Sequence, residues 1–174
     1  LFNYAPFEGG SYRLTARYEG GGSFLPSEAN LDLKVFLPTT LSILEPTTGP
    51  ATRQTSLTPF VVQGVLADIH NRPVPGQEVI VTLDGGAETQ ETTTKGSGEY
   101  AGNIEPRFPG GRTLTVSFPG GGFFRASVDQ VTVPVFMPVL LEPDVPSRAL
   151  VGVPADIGAS VRDLLDNPVI EGQV

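Results

Sequence analysis

The 174-residue sequence predicts an all-β chain of antiparallel β-sandwich modules in tandem. Three observations carry that expectation. The first is an internal repeat: residues 3–38 lie over residues 103–138 without a gap, and 13 of these 36 positions are identical. Chance at average composition gives roughly two. The second is composition, because 21 Gly and 17 Pro interrupt any long helix while Thr and Val abound. The third is a succession of short runs with alternating apolar residues, broken by Gly, Pro, Asp and Asn at roughly 8–12-residue spacing.

The identities include Asn3/Asn103, Pro6/Pro106, Gly10/Gly110, Leu14/Leu114, the triplets Gly20 to Gly22 and Gly120 to Gly122, Phe24/Phe124 and Pro38/Pro138. Tyr18/Phe118, Leu31/Val131 and Leu33/Val133 change residue but keep its character. A second stretch repeats at a spacing of 95: Asp68, Asn71, Pro73 and Val74 correspond to Asp163, Asp166, Pro168 and Val169. Gly76-Gln77 then matches Gly172-Gln173. The division expected is the C-terminal part of one module in residues 1–36, a complete module in 37–137 and the N-terminal part of a further module in 138–174. A module of about 100 residues can bury its own core, and half a module cannot. Three arrangements are open: a cut from a longer polymer of domains, split modules completed by neighbouring subunits, or halves packed on the central module.

In the central module, Leu41–Leu44 reads as a first strand, followed by a Thr/Gly/Pro-rich crossing from Pro46 to Thr52. Phe60–Ile69 is the next strand and ends in the polar turn His70-Asn71-Arg72-Pro73. Gln77–Leu83 points Val79, Val81 and Leu83 inward. Asp84-Gly85-Gly86 then supplies a hairpin turn, since these residues tolerate positive φ. Glu88–Thr94, polar and Thr-rich, reads as an edge strand protected from edge pairing by its charges and hydroxyls. Glu99–Ile104 follows a Gly turn, and Arg112–Phe118 alternates Leu114, Val116 and Phe118. Ser127–Phe136 closes the module with Val131, Val133 and Val135 on one face. Asp156–Leu165 comes nearest to a helical period, yet its correspondence with Val61–Asp68 makes it a strand. Pro38 and Pro138 fall at the joints, where a fixed φ and a missing donor give a short, stiff connection.

The stretch 63–118 carries Gly64, Asp68, Pro73-Val74-Pro75-Gly76, Val79-Ile80-Val81-Thr82-Leu83, Gly98-Glu99-Tyr100 and Gly110-Gly111-Arg112-Thr113-Leu114. This pattern resembles bacterial and archaeal Ig-like repeat domains, with similarity to prealbumin-like (carboxypeptidase regulatory-like) domains. The resemblance implies Ig-like/prealbumin-like β-sandwich spacers of secreted or surface-anchored proteins, and it carries no catalytic residue.

Functional constellations are sparse. The chain has no cysteine, hence neither disulfides nor thiolate chemistry. A net charge of −8 opposes nucleic-acid backbones and anionic membrane surfaces. No apolar run reaches the 18 residues or so of a spanning helix. The single histidine, His70, reads as a solvated turn residue, since a base needs an orienting partner and a nucleophile. The positions where calcium would be sought are Asp68 with Asn71, and Asp163 with Asp166, on matching turns. Their two or three oxygens fall short of the six to eight that calcium takes, and capping of the turn by its own Asx side chains is the simpler reading. Lys34 and Lys95 are the only lysines, one replaced by Pro134 in the other copy and one in a turn, so an isopeptide crosslink is not expected. Phe124 reads as core and Phe123, replaced by Ser23, as a surface contact.

The expected function is therefore that of an extracellular or cell-surface structural repeat: a non-enzymatic stalk, spacer or filament building block. It needs no cofactor, and its partners are neighbouring copies of the same repeat. The alternatives are an adhesin or carbohydrate-binding module that takes a glycan or receptor, and an accessory domain of a secreted hydrolase.

Overall fold

The computed structural model describes residues 3–46, 53–148 and 150–169. Most of the crossing expected at Pro46 to Thr52, and the Gly172-Gln173 match, lie outside the described residues. Twelve strands occur in chain order: β1 Gly10–Tyr18, β2 Ser27–Val35, β3 Thr39–Glu45, β4 Gln54–Thr55, β5 Phe60–Asp68, β6 Glu78–Leu83, β7 Glu88–Thr93, β8 Glu99–Ile104, β9 Gly110–Phe118, β10 Ser127–Phe136, β11 Val139–Asp144 and β12 Gly158–Asp163. Among the described residues there is no helix. The all-β class expected from the sequence is the observed one.

β3 to β10 make a sandwich of two sheets. One has the order β3-β5-β8 and the other β4-β10-β9-β6-β7. Alternation explains which side chains meet between them, because successive residues of a strand point to opposite faces. Leu41, Val62, Leu66, Tyr100 and Ile104 come from the three-stranded sheet. Val79, Val81, Leu83, Leu114, Val116, Phe118 and Val133 come from the five-stranded one. These residues form one buried cluster. Each such side chain stabilises the fold by about 1.5–3 kcal/mol relative to exposure. β7 lies at the edge of its sheet, in keeping with its polar sequence.

One strand departs from the antiparallel expectation. β4 pairs with the end of β10 in parallel, Gln54 beside Val135 and Thr55 beside Phe136. The chain leaves the β3 sheet and reaches the far edge of the opposite one, and two residues carry no periodicity by which to be recognised.

The repeat is as exact in backbone as in sequence. β1 pairs with β2 from Gly10↔Val35 to Tyr18↔Ser27, and β9 with β10 from Gly110↔Val135 to Phe118↔Ser127. Both hairpins close through the same bridge, Gly21↔Phe24 in one and Gly121↔Phe124 in the other. Gly20 and Gly120 have φ of 85° and 89°, and Gly22 and Gly122 both have 59°. Those angles are why the first and third residues of each triplet are glycine. β11–β12 repeats the register of β3–β5 from Val139↔Asp163, matching Thr39↔Asp68, to Pro143↔Ala159, matching Ile43↔Gly64; beyond that point β3–β5 has a bulge that β11–β12 lacks.

What differs is cover. Leu114 is 0% exposed and its counterpart Leu14 39%; Phe118 is 2% exposed and Tyr18 48%; Val62 is 0% exposed and Ile157 77%. β9–β10 lies under the β3-β5-β8 sheet, whereas among the described residues no sheet covers the same face of β1–β2 or of β11–β12.

A tight spot fixes how β3, β5 and β8 lie together. The Tyr100 hydroxyl donates to the Ser42 carbonyl at 2.9 Å, passing over Gly64. A Cβ at position 64 would overlap both that carbonyl oxygen and the hydroxyl. Burial, followed by the negative charge of Asp129, pushes the Tyr100 phenol above its ordinary range, so it stays a donor. Gly64→Ala is expected to cost about 3 kcal/mol through overpacking against backbone, and Leu114→Ala about the same through a cavity. Leu14→Ala, at the matching exposed site, is expected to cost less than about 1 kcal/mol. Chemical denaturation of the three variants measures the differences.

Candidate functional site

The polar turn after β5 is built on one carboxylate. Buried Asp68 accepts through Oδ1 from the His70 N–H at 2.8 Å and the Arg72 N–H at 3.0 Å. Its Oδ2 accepts from Arg72 Nε at 2.8 Å. Asn71 occupies the left-handed region at φ 59°, and its N–H donates to the Asp68 carbonyl. Burial pushes the Asp68 carboxyl up, and the hydrogen bonds from Arg72 and His70 together carry it below its ordinary value. The turn after β12 is the same object. Asp163 Oδ1 accepts from the N–H groups of Leu165 and Asn167 at 2.8 and 2.9 Å, and Asp166 has φ 64°. The hydrogen bond from the Asn167 side chain is the main influence lowering the Asp163 carboxyl.

The four calcium candidates therefore sit in two equivalent Asx turns. Asp68 and Asp163 point their oxygens into the turn, Asn71 supplies its backbone, and Asp166 pairs with Arg162 at 3.0 Å. Among the described residues no group of three or more His, Cys, Asp or Glu stands close enough together to hold a metal ion.

The same turn meets the segment ahead of β1. The Phe7 ring stacks on His70 with centroids 4.0 Å apart and planes at 28°. The His70 Nε2 lies 3.1 Å from the Phe7 carbonyl oxygen. Arg72 grips Glu8 with both terminal nitrogens, at 2.6 and 2.9 Å, while its guanidinium carbon lies 5.9 Å from the Phe7 centroid. A buried carboxylate thus orients Arg72, and Arg72 holds Glu8. The fork geometry of arginine makes this a directional contact rather than a loose ion pair. The Arg72 hydrogen bond is the main cause of a Glu8 carboxyl held below its ordinary value, and Glu8 and Asp68 in turn raise the guanidinium.

A second set of contacts flanks the first. The Phe36 ring lies 6.3 Å from that of Phe123, and a Cβ at Gly9 would come within 3.0 Å of the Phe123 Cβ. Between them runs the connecting chain. Leu37 N–H donates to the Phe123 carbonyl at 2.7 Å, Arg125 N–H to the Leu37 carbonyl at 2.8 Å, and Ile69 N–H to the Pro38 carbonyl at 3.1 Å. The stiff connection is pinned from both sides.

Sequence reasoning left His70 in solvent. It is half-buried under Phe7, and the reason is that its partner lies 63 residues away on the other side of the joint. The signal was present in the differences between copies. Phe7 and Glu8 become Arg107 and Phe108, while His70 and Arg72 become Leu165 and Asn167, so both sides change chemistry together. Phe123 contacts the joint, and Phe124 packs against the core.

No family model matches this chain, and no curated protein does. Among solved structures it is similar to the crystal structure of the S-layer protein SbsC domains 4 and 5, at 14% identity and TM-score 0.33, over 72% of this chain and 74% of that one. A structure of surface layer protein SbsC, domains 4-9, matches at 15% identity and TM-score 0.34, over 94% of this chain. The crystal structure of the S-layer protein rSbsC(31-844) matches at 15% identity and TM-score 0.37, over 95% of this chain. This chain spans 25% and 21% of the length of the latter two.

The carboxyls of Asp68 and Glu8 are depressed on folding from ordinary values of 3.8 and 4.5. Their contribution is therefore present above those values and lost as pH falls through the lower folded ones. Thermal midpoints measured between about pH 6 and pH 3 are expected to fall on acidification, and Asp68→Asn is expected to lower the midpoint at pH 6 and flatten the fall.

Proposed function

We propose that this chain is a structural repeat of an extracellular, cell-surface protein, with Ig-like modules acting as stalk, spacer or filament building block. The observation that carries the reading is the pair of hairpins with one register and opposite burial, β1–β2 uncovered and β9–β10 covered. A strand pair with an apolar face is marginal in water by itself and becomes stable when a second sheet lies on it. In this reading the β1–β2 and β11–β12 faces are completed by sheets of the same repeat, supplied by neighbouring subunits or chain segments.

In this reading the modules divide at about residues 37 and 137, as the sequence repeat suggests. The work of such a unit is mechanical. Ladders between buried strands resist separation, the pinned connection at Leu37 and Pro38 transmits orientation, and net negative charge keeps the array soluble. The role is non-enzymatic and rests on turns that close through their own hydrogen bonds, without a metal or other cofactor.

An antibody against residues 37–137, applied to intact cells that carry the gene, is expected to stain without permeabilisation and to decorate a continuous layer or fibre in isolated envelopes. Staining that appears only after permeabilisation contradicts the reading.

A further inference from the structure

The joint between β1–β2 and the sandwich is chemically specific, and the equivalent positions one repeat later carry different chemistry. Phe7 and Glu8 meet His70 and Arg72. One repeat on, Arg107 and Phe108 turn back onto their own sheet: Arg107 lies 3.5 Å from Glu88, and Arg112 sits 5.8 Å over the Phe108 ring. Leu165 and Asn167 occupy the facing turn, with the Asn167 side chain donating to Asp163 Oδ2 at 3.0 Å. We propose that the turn after β5 is a selective docking surface for its neighbour, so that a segment carrying an aromatic-acidic pair ahead of its hairpin locks onto a turn carrying His-x-Arg and onto no other turn of this repeat. This rests on the tandem-repeat reading above.

Crossing the two sets shows why. Phe7 and Glu8 facing Leu165 and Asn167 would leave a ring with no flat partner and a carboxylate without the fork that Arg72 supplies, since the guanidinium at that turn, Arg162, is already paired with Asp166. Arg107 and Phe108 facing His70 and Arg72 would set one guanidinium against another and put an apolar ring where Arg72 holds a carboxylate, a repulsive element of the kind that specificity needs. The backbone of the two turns is nearly identical, from the Asp N–H bond to the left-handed residue, so the side chains at positions 70 and 72 in one turn and 165 and 167 in the other make the difference. Adjacent repeats are then not interchangeable, and their order along an array is written at the joints.

The absence of native cysteine makes a distance measurement straightforward. Lys34→Cys and Glu91→Cys place spin labels at exposed sites on the hairpin and on the sandwich. In the full chain the expected result is one narrow distance distribution. Phe7→Arg with Glu8→Phe, or His70→Leu with Arg72→Asn, is expected to broaden it. Combining all four changes is expected to broaden it no further than either pair alone, because each pair removes the same contacts. Arg72→Asn copies the Asp163–Asn167 turn, so the sandwich should keep one cooperative unfolding transition in every variant, with only the small drop in midpoint that losing the Arg72 contacts to Asp68 and Glu8 brings. Loss of the cooperative transition assigns the four residues to folding and overturns the proposal. A narrow distribution that survives either pair, or broadening that adds, overturns the selectivity and leaves the tandem reading standing. A broad distribution in the parent chain overturns the rigid joint itself.

Discussion

Cover of an apolar sheet face is the constraint on which this structure turns. The two hairpins share a register, a turn and a set of glycine angles, so their ladders are chemically equal. Among the described residues only β9–β10 has a sheet above it, and that sheet removes Leu114, Val116 and Phe118 from water. Backbone hydrogen bonds exchange protein partners for water partners at small net gain, whereas apolar area removed from water contributes about 25 cal/mol per Å². The stability of the unit therefore resides between its sheets. The Tyr100 hydroxyl over Gly64 supplies the steric stop that sets how closely three of the strands lie.

The proposed function rests on how such units connect. The connection through Leu37 and Pro38 is hydrogen-bonded to loops on both sides, and the Asp68–Arg72–Glu8 chain fastens the β5 turn to the neighbouring segment. Asp68 is consumed by its own turn, His70 by Phe7, and Arg72 by two carboxylates. These contacts hold the β5 turn and the segment ahead of β1 in one arrangement, and the proposed role as a stalk or spacer depends on it.

Much of this was legible in the residues. Alternation at Val79, Val81 and Leu83, and at Leu114, Val116 and Phe118, marks the inward faces because a pleated strand has a period of two. Gly-rich turns mark the hairpins because positive φ strongly favours glycine, and the 100-residue offset carries the register of one hairpin directly to the other. The Asx turn at Asp68 was legible through its recurrence at Asp163. Two features were not. β4 is two residues long and pairs in parallel across the sandwich, which leaves no periodic trace. The Phe7–His70 stack joins residues from different copies, and tertiary contacts between copies obey no local rule. The candidate site was visible only as a pair of positions at which the copies disagree.

Amide hydrogen exchange on the 174-residue chain tests the central claim most directly, because it compares equal ladders under unequal cover. The account predicts that amides of Leu114 and Val116 exchange only with global unfolding, while those of Leu14 and Ala16 exchange orders of magnitude faster through local opening. Equal protection of the two hairpins would contradict it, and would place the stability of this fold in the strand ladders.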